Sequence, residues 1–172
     1  EIPMLRCPSD FDNTQPQSGG AVNYMANKGN EVYWAVTDQQ NGVFIYRKCI
    51  RFRDIIDGTT NTAAFAERVL TDGNNGRVSP DADVFVSFAD PATREEAIQI
   101  CDAVDINNLA NQFPLFMGAP WMDGQHTYLH VNVPNTRSCG FYPTKATMPP
   151  SSRHEGGVHM LLCDGSVRFI SE

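Results

Sequence analysis

Residues 158–171 read VHMLLCDGSVRFIS, in which Asp164-Gly165 separates two runs of alternating apolar residues. Asp-Gly between such runs is a strong signal for a two-residue hairpin turn, because both turn positions take positive φ. We therefore predict antiparallel strands over residues 158–163 and 166–171. With that turn, Leu162 lies opposite Val167, and one face of the hairpin is predicted to enter the core. The side chains on that face are Met160, Leu162, Val167 and Phe169.

Short strands are also predicted along the rest of the chain, because apolar or alternating runs are bounded by turn-forming residues. They cover residues 21–25, 31–36, 42–46, 62–70, 83–88 and 126–133. The dipeptide Asn41-Gly42 predicts a hairpin that joins the second and third of these strands.

One helix is predicted over residues 91–104. Thr93 and Glu96 have the spacing of a capping box, and an apolar stripe follows. The stripe consists of Ala97, Ile98, Cys101 and Val104. The predicted fold class is therefore α+β and mostly β, with antiparallel sheets, one clear helix and a C-terminal hairpin in a single domain over residues 1–172.

The charge balance narrows the classes of partner. Asp and Glu number 20 against 13 Lys and Arg, which gives a net charge of −7. A nucleic-acid partner normally requires a basic face, so we expect none. No run approaches the roughly 20 apolar residues of a membrane span. The chain begins with Glu1 instead of Met, so we expect a processed protein or a fragment whose targeting segment lies upstream.

The five cysteines are widely spaced and form no C-x-x-C pair, which disfavours a zinc ribbon or a thioredoxin-like site. They are Cys7, Cys49, Cys101, Cys139 and Cys163. Wide spacing is typical of long-range disulfides in an oxidising compartment. An odd number leaves at least one cysteine unpaired within the chain. The alternative is that several are buried apolar thiols.

Four motifs occur in order along the chain. They are Cys7-Pro8-Ser9-Asp10, the NYMAN segment at residues 23–27, the DIIDGTTNT run at residues 54–62 followed by Glu67, and His154 separated by nine residues from Asp164-Gly165. Together they resemble a pilin-like family of planctomycete-type bacteria that has a prepilin-type N-terminal segment and a C-terminal H-x9-DG motif. The residues that carry the resemblance include Asp57, Gly58 and Asn61 of the second-to-last motif.

The resemblance implies a pilin-like globular head without the leader and the apolar N-terminal helix of the family. It implies a structural subunit, not an enzyme, in a pilus-like or type II secretion pseudopilin-like filament outside the cell or in the cell envelope. Partners would be other pilin-like subunits, in a homo-oligomer or filament, and the membrane would be contacted only through the absent helix. Cys7 would pair with an upstream cysteine. Within the chain we predict Cys49–Cys101 and Cys139–Cys163.

The alternative function is a cell-surface module that binds a solute, a glycan or a protein. It predicts a concave, aromatic-lined cleft near Trp34 or Trp121, to which Tyr33 and Phe116 are further candidates; packing in the core is the ordinary role of such residues. A hydrolase has no support, because no nucleophile elbow, P-loop or Rossmann glycine pattern is present.

The histidines are predicted to have structural roles. His154, Glu155 and His159 do not have the H-E-x-x-H spacing of a zinc site. We expect His154 to bond a backbone carbonyl or Asp164, which would pin the loop before the hairpin, while Asp164 serves the turn. His126 and His130 share a face of a predicted strand, where exposed polar positions are ordinary.

Acidic loops are the candidates for a structural calcium ion, since calcium takes oxygen ligands. The candidate ligands are Asp10, Asp12, Asp72, Asp81 and Asp83. None of these clusters has EF-hand spacing. Ordinary turn chemistry is the alternative for each of them.

Overall fold

The computed structural model describes residues 2–10, 19–34, 39–112, 117–124 and 126–172. Its strands form two sheets. The strands are β1 (Tyr24–Asn27), β2 (Ala63–Glu67), β3 (Val84–Ser87), β4 (Thr127–Tyr128), β5 (Ser138–Phe141), β6 (Lys145–Thr147), β7 (Gly157–Leu162) and β8 (Val167–Ser171). The helix α1 spans Arg94–Ala103, and short 3-10 turns span Pro3–Leu5, Phe52–Asp54 and Leu109–Asn111. The mostly β, α+β class predicted from the sequence is confirmed.

The larger sheet has the strand order β4-β1-β2-β7-β8, and the smaller has the order β3-β5-β6. Most pairs are antiparallel, as predicted, but each sheet also contains one parallel pair. These pairs are β1 with β4 and β3 with β5. β2 lies at the centre of the larger sheet, between β1 and β7.

One hydrophobic core joins the two sheets and the helix. The larger sheet contributes Met25, Val158 and Met160, the smaller sheet contributes Phe85, Phe141 and Ala146, and α1 contributes Ala97 and Cys101. The helix prediction is confirmed, since the Thr93 hydroxyl accepts a hydrogen bond from the Glu96 amide at 3.2 Å. The buried helix residues Ala97 and Cys101 belong to the predicted stripe.

The two cysteine pairs predicted within the chain are wrong, and the pairing of Cys7 with an upstream cysteine stays a prediction. Cys101 on α1 forms a disulfide with Cys139 on β5, while Cys7, Cys49 and Cys163 are free. The parallel β3–β5 pair explains the difference, because the chain must cross over between two parallel strands and α1 lies in that crossover. Only antiparallel strands were predicted from the sequence, so nothing in that prediction placed α1 beside β5.

The C-terminal hairpin forms, but its predicted register is wrong by one residue. Leu161, not Leu162, lies opposite Val167, and His159 lies opposite Phe169. The turn is longer than two residues: the Gly165 amide bonds the Leu162 carbonyl, and the Leu162 amide bonds the Ser166 carbonyl. In this turn only Gly165 has positive φ, at 88°, as in a turn followed by a glycine bulge.

The one-residue shift places every side chain of β8 on the face opposite to the predicted one. Met160 and Leu162 are buried in the core as predicted, whereas Val167 and Phe169 are 62% and 48% exposed. Ile170, which pairs with Val158, packs against the core instead.

Three other predicted strands differ from the structure. Residues 42–46 form no strand, and Ile45 makes only an isolated bridge with Lys48. Gly42 packs directly against the backbone of Lys28, where a Cβ atom would be 2.3 Å from a backbone carbon. A glycine is therefore required here by the close contact of two chain segments and not by a hairpin turn. In the predicted strand over 31–36, Tyr33 makes an isolated bridge with Lys145, and residues 35 and 36 lie outside the described residues. The predicted strand over 126–133 is reduced to β4.

No helix in the described part of the chain is both long and apolar enough to cross a membrane.

The hairpin register predicts unequal effects of two alanine substitutions. Leu162→Ala should lower the free energy of unfolding by about 2–5 kcal/mol, because it leaves a cavity in the core. Val167→Ala should change it by about 0.5 kcal/mol or less, because the side chain is exposed. Urea denaturation measures both. Equal losses would show that the two residues share the core face and that the register is the one predicted from the sequence.

Candidate functional site

A buried carboxylate lies at the centre of the candidate site. Glu67 is the last residue of β2, and its side chain is 6% exposed. One carboxylate oxygen, Oε2, accepts a hydrogen bond from the His159 amide at 2.7 Å and lies 3.2 Å from Nδ1 of the same residue. The other oxygen, Oε1, lies 3.2 Å from His154 Nε2 and 3.7 Å from Cys7 Sγ. Glu67 thus joins β2, β7 and two segments that are far apart in the sequence.

Cys7, Glu67 and His154 form the Cys7–Glu67–His154 cluster. The third distance within it, from Cys7 Sγ to His154 Nε2, is 3.6 Å. One potential ligand atom from each residue lies within 4.8 Å of the other two. Sulfur, oxygen and imidazole nitrogen converge on one point, and this is the arrangement in which side chains hold a metal ion.

Cys7 is held in place by a buried asparagine. The Cys7 amide donates a hydrogen bond to Asn23 Oδ1 at 3.0 Å. The Asn23 amide group in turn donates to Asp10 Oδ2 at 2.6 Å and to the Arg68 carbonyl at 3.0 Å. Asn23 therefore connects the segment that begins the chain with the residue after β2.

His154 is held by the loop that precedes β7. Its amide donates to Ser152 Oγ at 3.0 Å, and the Ser152 hydroxyl donates to the Gly157 carbonyl at 2.7 Å. The His154 ring meets the His159 ring edge to face, with 4.8 Å between centroids. The partner predicted for His154 was a backbone carbonyl or Asp164, whereas its Nε2 lies 3.2 Å from Glu67 Oε1. That His154 pins the loop before the hairpin stays a prediction. Asp164 accepts hydrogen bonds from the amide and hydroxyl of Ser166.

Burial and the nearby carboxylate keep the Cys7 thiol protonated. Burial is the main reason that the pKa of Cys7 is raised, and the charge of Glu67 raises this pKa further. Burial likewise raises the pKa of Tyr24, with smaller contributions from Cys7 and Glu67. A reactive cysteine needs a lowered pKa, so the thiol is not prepared for nucleophilic attack in this environment.

The contact geometry also differs from that of a catalytic triad. Cys7 Sγ and Glu67 Oε1 both approach Nε2 of His154. In a nucleophile–base–carboxylate triad the two neighbours contact opposite ring nitrogens, so that a proton taken on one side is balanced on the other. A single ring nitrogen has only one lone pair or one N–H and cannot relay a proton between two partners on the same side.

An open apolar groove with a volume of about 1420 Å³ lies on the outer face of the larger sheet, and Glu67 and His159 form part of its wall. From the sheet it is lined by Tyr24, Ala26, Phe65, Leu161 and Val167. From the loops it is lined by Val43, Phe44, Ile45, Tyr46, Ile50, Trp121 and Met122, among others. The Phe44 and Phe65 rings are in contact, with 4.9 Å between centroids.

Of the three predicted cleft aromatics that lie within the described residues, one lines this groove. Trp121 does so and is 42% exposed. Trp34 instead packs against the core, with Lys28 Nζ 5.7 Å from the centre of its ring. Tyr33 pairs with Lys145, and Phe116 lies outside the described residues.

The two histidines predicted to share a strand face have separate surroundings. His126 lines the groove, where its Nδ1 accepts a hydrogen bond from the Gly118 amide at 3.2 Å. Burial lowers the pKa of both His126 and His130. β4 ends at Tyr128, and His130 therefore lies beyond the strand, where its amide bonds the Gly29 carbonyl.

The aspartates predicted to bind calcium accept hydrogen bonds or ion pairs from the protein. Asp72 accepts from the Asn74 amide, Arg77 and Ser79, and Asp83 accepts from the Ser79 amide and Gln112. Asp10 bonds Asn23 and the Leu70 amide, and both Asp10 and Asp81 pair with Arg153. Asp12 lies outside the described residues. Calcium binding stays a prediction.

Motif residues outside the cluster shape turns. Gly58 has φ of 85°, its carbonyl accepts the Asn61 amide and the Thr62 hydroxyl, and the Asn61 side chain bonds the Asp57 carbonyl. By contrast, Cys7, Glu67 and His154 come from three different motifs and meet in space. The convergence of these three residues was not predicted from the sequence. One signal for it was available. Each of the three motifs begins or ends with a residue of a metal-binding type, and that residue has no evident role in its own turn.

The chain belongs to a family described as "Protein of unknown function (DUF1559)", whose family model matches residues 1–172. No curated protein and no solved structure matches the chain.

The network around Cys7 predicts a large effect of Asn23→Ala. This substitution removes four hydrogen bonds of a buried side chain and leaves their partners unsatisfied, so we expect a loss of at least about 2 kcal/mol in the free energy of unfolding. Asn61→Ala, which removes an exposed side-chain bond, is the matched control and should cost about 0.5 kcal/mol. Urea denaturation provides the comparison. Equal small losses would show that Asn23 does not anchor the Cys7 segment.

Proposed function

We propose that this DUF1559 protein is a secreted or cell-envelope structural subunit of a pilus-like or pseudopilin-like filament, and that its groove holds an apolar helix encoded upstream of residue 1. The observation that carries the proposal is the apolar groove on the outer face of the larger sheet. The proposed role is structural and not catalytic, and the proposed partners are other copies of the same kind of subunit.

The larger sheet is apolar on both faces. Its inner face packs Met25, Val158 and Met160 into the core. Its outer face carries Phe65, Leu161 and further apolar groove residues. An antiparallel sheet with one solvated face normally alternates apolar and polar residues, whereas a sheet that is covered on both faces does not. The pattern thus favours a covering element on the outer face.

The size and position of the groove suit a helix that enters from the start of the chain. A helix about 10 Å wide that rises 1.5 Å per residue would fill about 1420 Å³ with roughly twelve residues, or three turns. Leu5 lines the groove, so a segment that joins the chain just before Ile2 would lie close to the groove. An apolar helix in this position would remove Phe44, Tyr46 and Val167, which are 42%, 43% and 62% exposed, from water.

A binding module for a solute, a glycan or a protein is the second candidate. It is favoured by the aromatic side chains of Tyr24, Tyr46 and Trp121 in the groove, which could contact an apolar or sugar ligand. The two candidates differ in one respect: the binding module needs the groove to be open in the complete gene product, and the filament subunit needs it to be filled.

Cys49 reports directly whether the groove is filled. It is a free, exposed cysteine that lines the groove, whereas the free cysteine Cys163 does not line it. We expect maleimide to label Cys49 at least about tenfold more slowly in the complete gene product than in the 172-residue chain, because a packed helix excludes the reagent. The labelling rate of Cys163 should be the same in both proteins. Peptide mass spectrometry measures the rates.

An unchanged Cys49 rate in the complete product would overturn the filament proposal and favour the binding module. The same holds if the gene encodes no apolar segment of about 20 residues upstream of residue 1. Neither result depends on the Cys7–Glu67–His154 cluster.

Filament assembly should depend on the apolar character of the groove. Val167→Glu in the complete gene product places a charge against the proposed helix, and we expect at least about a tenfold loss of sheared filaments seen by electron microscopy. Val133→Glu is the matched control, because Val133 is an exposed valine outside the groove lining, and it should assemble normally. Equal assembly of the two variants would contradict the proposal.

A further inference from the structure

We propose that Cys7, Glu67 and His154 bind a divalent transition-metal ion, with Zn²⁺ as the preferred ion. The proposal is independent of the filament role, since it concerns a bound ion inside the domain and not the contacts of the groove. It rests on the positions of the three donor atoms, on their chemistry and on the contacts that orient them.

The separations of the donor atoms match one face of a tetrahedral zinc site. Typical bond lengths of about 2.3 Å to sulfur, 2.0–2.1 Å to imidazole nitrogen and 2.0–2.2 Å to carboxylate oxygen, joined at the tetrahedral angle, give expected separations. These are about 3.6 Å for S···N, about 3.6 Å for S···O and about 3.4 Å for N···O. The observed values are 3.6, 3.7 and 3.2 Å. Each agrees within the tolerance of about 0.2 Å expected for a metal site.

An N–H···O hydrogen bond is about 2.7–3.2 Å long, and the 3.2 Å from His154 Nε2 to Glu67 Oε1 lies at the long end of this range. Moreover, the thiol and the carboxylate approach the same side of the ring, where an ion between the three donors would contact all of them.

The donor set selects the class of ion. On metal binding, the Cys7 thiol releases its proton to solvent and coordinates as the thiolate. A thiolate, an imidazole and a carboxylate together are typical ligands of Zn²⁺, which accepts sulfur, nitrogen and oxygen. Calcium and magnesium prefer all-oxygen sites, so this set suits them poorly. Three protein ligands leave a fourth tetrahedral position for water or for a group from outside the chain.

Each donor is oriented by a further contact. His159 holds Oε2 of Glu67 with its amide and its ring, which leaves Oε1 to face the cluster. Asn23 holds the Cys7 amide, and Ser152 holds the His154 amide. Such outer contacts are a general feature of metal sites. An ion can reach the site, because the His154 side chain is 30% exposed.

Cobalt(II) and zinc titrations of the tag-free 172-residue chain test the proposal. We expect about one Co²⁺ per chain, with the thiolate-to-cobalt charge-transfer absorption and the visible bands of tetrahedral cobalt, and displacement of Co²⁺ by Zn²⁺. Cys7→Ser should abolish the charge-transfer band. Glu67→Gln and His154→Gln should weaken Zn²⁺ binding at least about tenfold in competition with a chromophoric chelator. Circular dichroism establishes that each variant is folded.

Cys49→Ser and Cys163→Ser are the matched controls, because both residues are free cysteines outside the cluster and should leave the cobalt spectrum unchanged. The proposal is overturned if the folded wild-type chain shows no cobalt–thiolate band. It is also overturned if this band survives Cys7→Ser or disappears with Cys49→Ser. The wild-type chain alone can overturn the proposal, so the test stays valid even if a variant folds poorly.

Discussion

The buried Glu67 carboxylate is the interaction on which the larger sheet and both ends of the chain depend. A charged group removed from water is costly by several kcal/mol unless it is paired and hydrogen-bonded. Glu67 meets this requirement with His159 from the neighbouring strand, His154 from the loop before that strand, and Cys7 from the start of the chain. The central strand β2 is thereby joined to segments 60 and 87 residues away.

The turn at Gly165 decides what the outer face of the sheet presents. Because the bulge shifts the β7–β8 register by one residue, Val167 lies on the groove face beside Leu161, and Ile170 packs against the core instead. The sheet then has apolar side chains on both faces, while Glu67 and His159 give one wall of the groove a polar group. The groove and the Cys7–Glu67–His154 cluster therefore arise from the same strands, although they support separate proposals.

Local patterns predicted the elements well where the signal lay within a few residues. Thr93, Glu96 and the following stripe located α1. The alternating runs located β3, β7 and β8, and the turn-forming residues on either side of residues 62–70 located β2. The errors came from long-range geometry. The parallel β3–β5 pair placed Cys101 beside Cys139, the bulge at Gly165 required only one positive φ, and Gly42 was needed for a close chain approach. The motifs identified Cys7, Glu67 and His154 as notable residues, but nothing in their spacing indicated that they meet.

In the proposed site, Glu67 holds a metal ion together with Cys7 and His154. X-ray absorption at the zinc edge, on the chain loaded with one equivalent of Zn²⁺ and dialysed, reports the atoms bound to the ion. We expect one sulfur neighbour at about 2.3 Å and nitrogen or oxygen neighbours at about 2.0–2.2 Å. A zinc environment without sulfur, or the loss of all zinc on dialysis, would contradict the proposal.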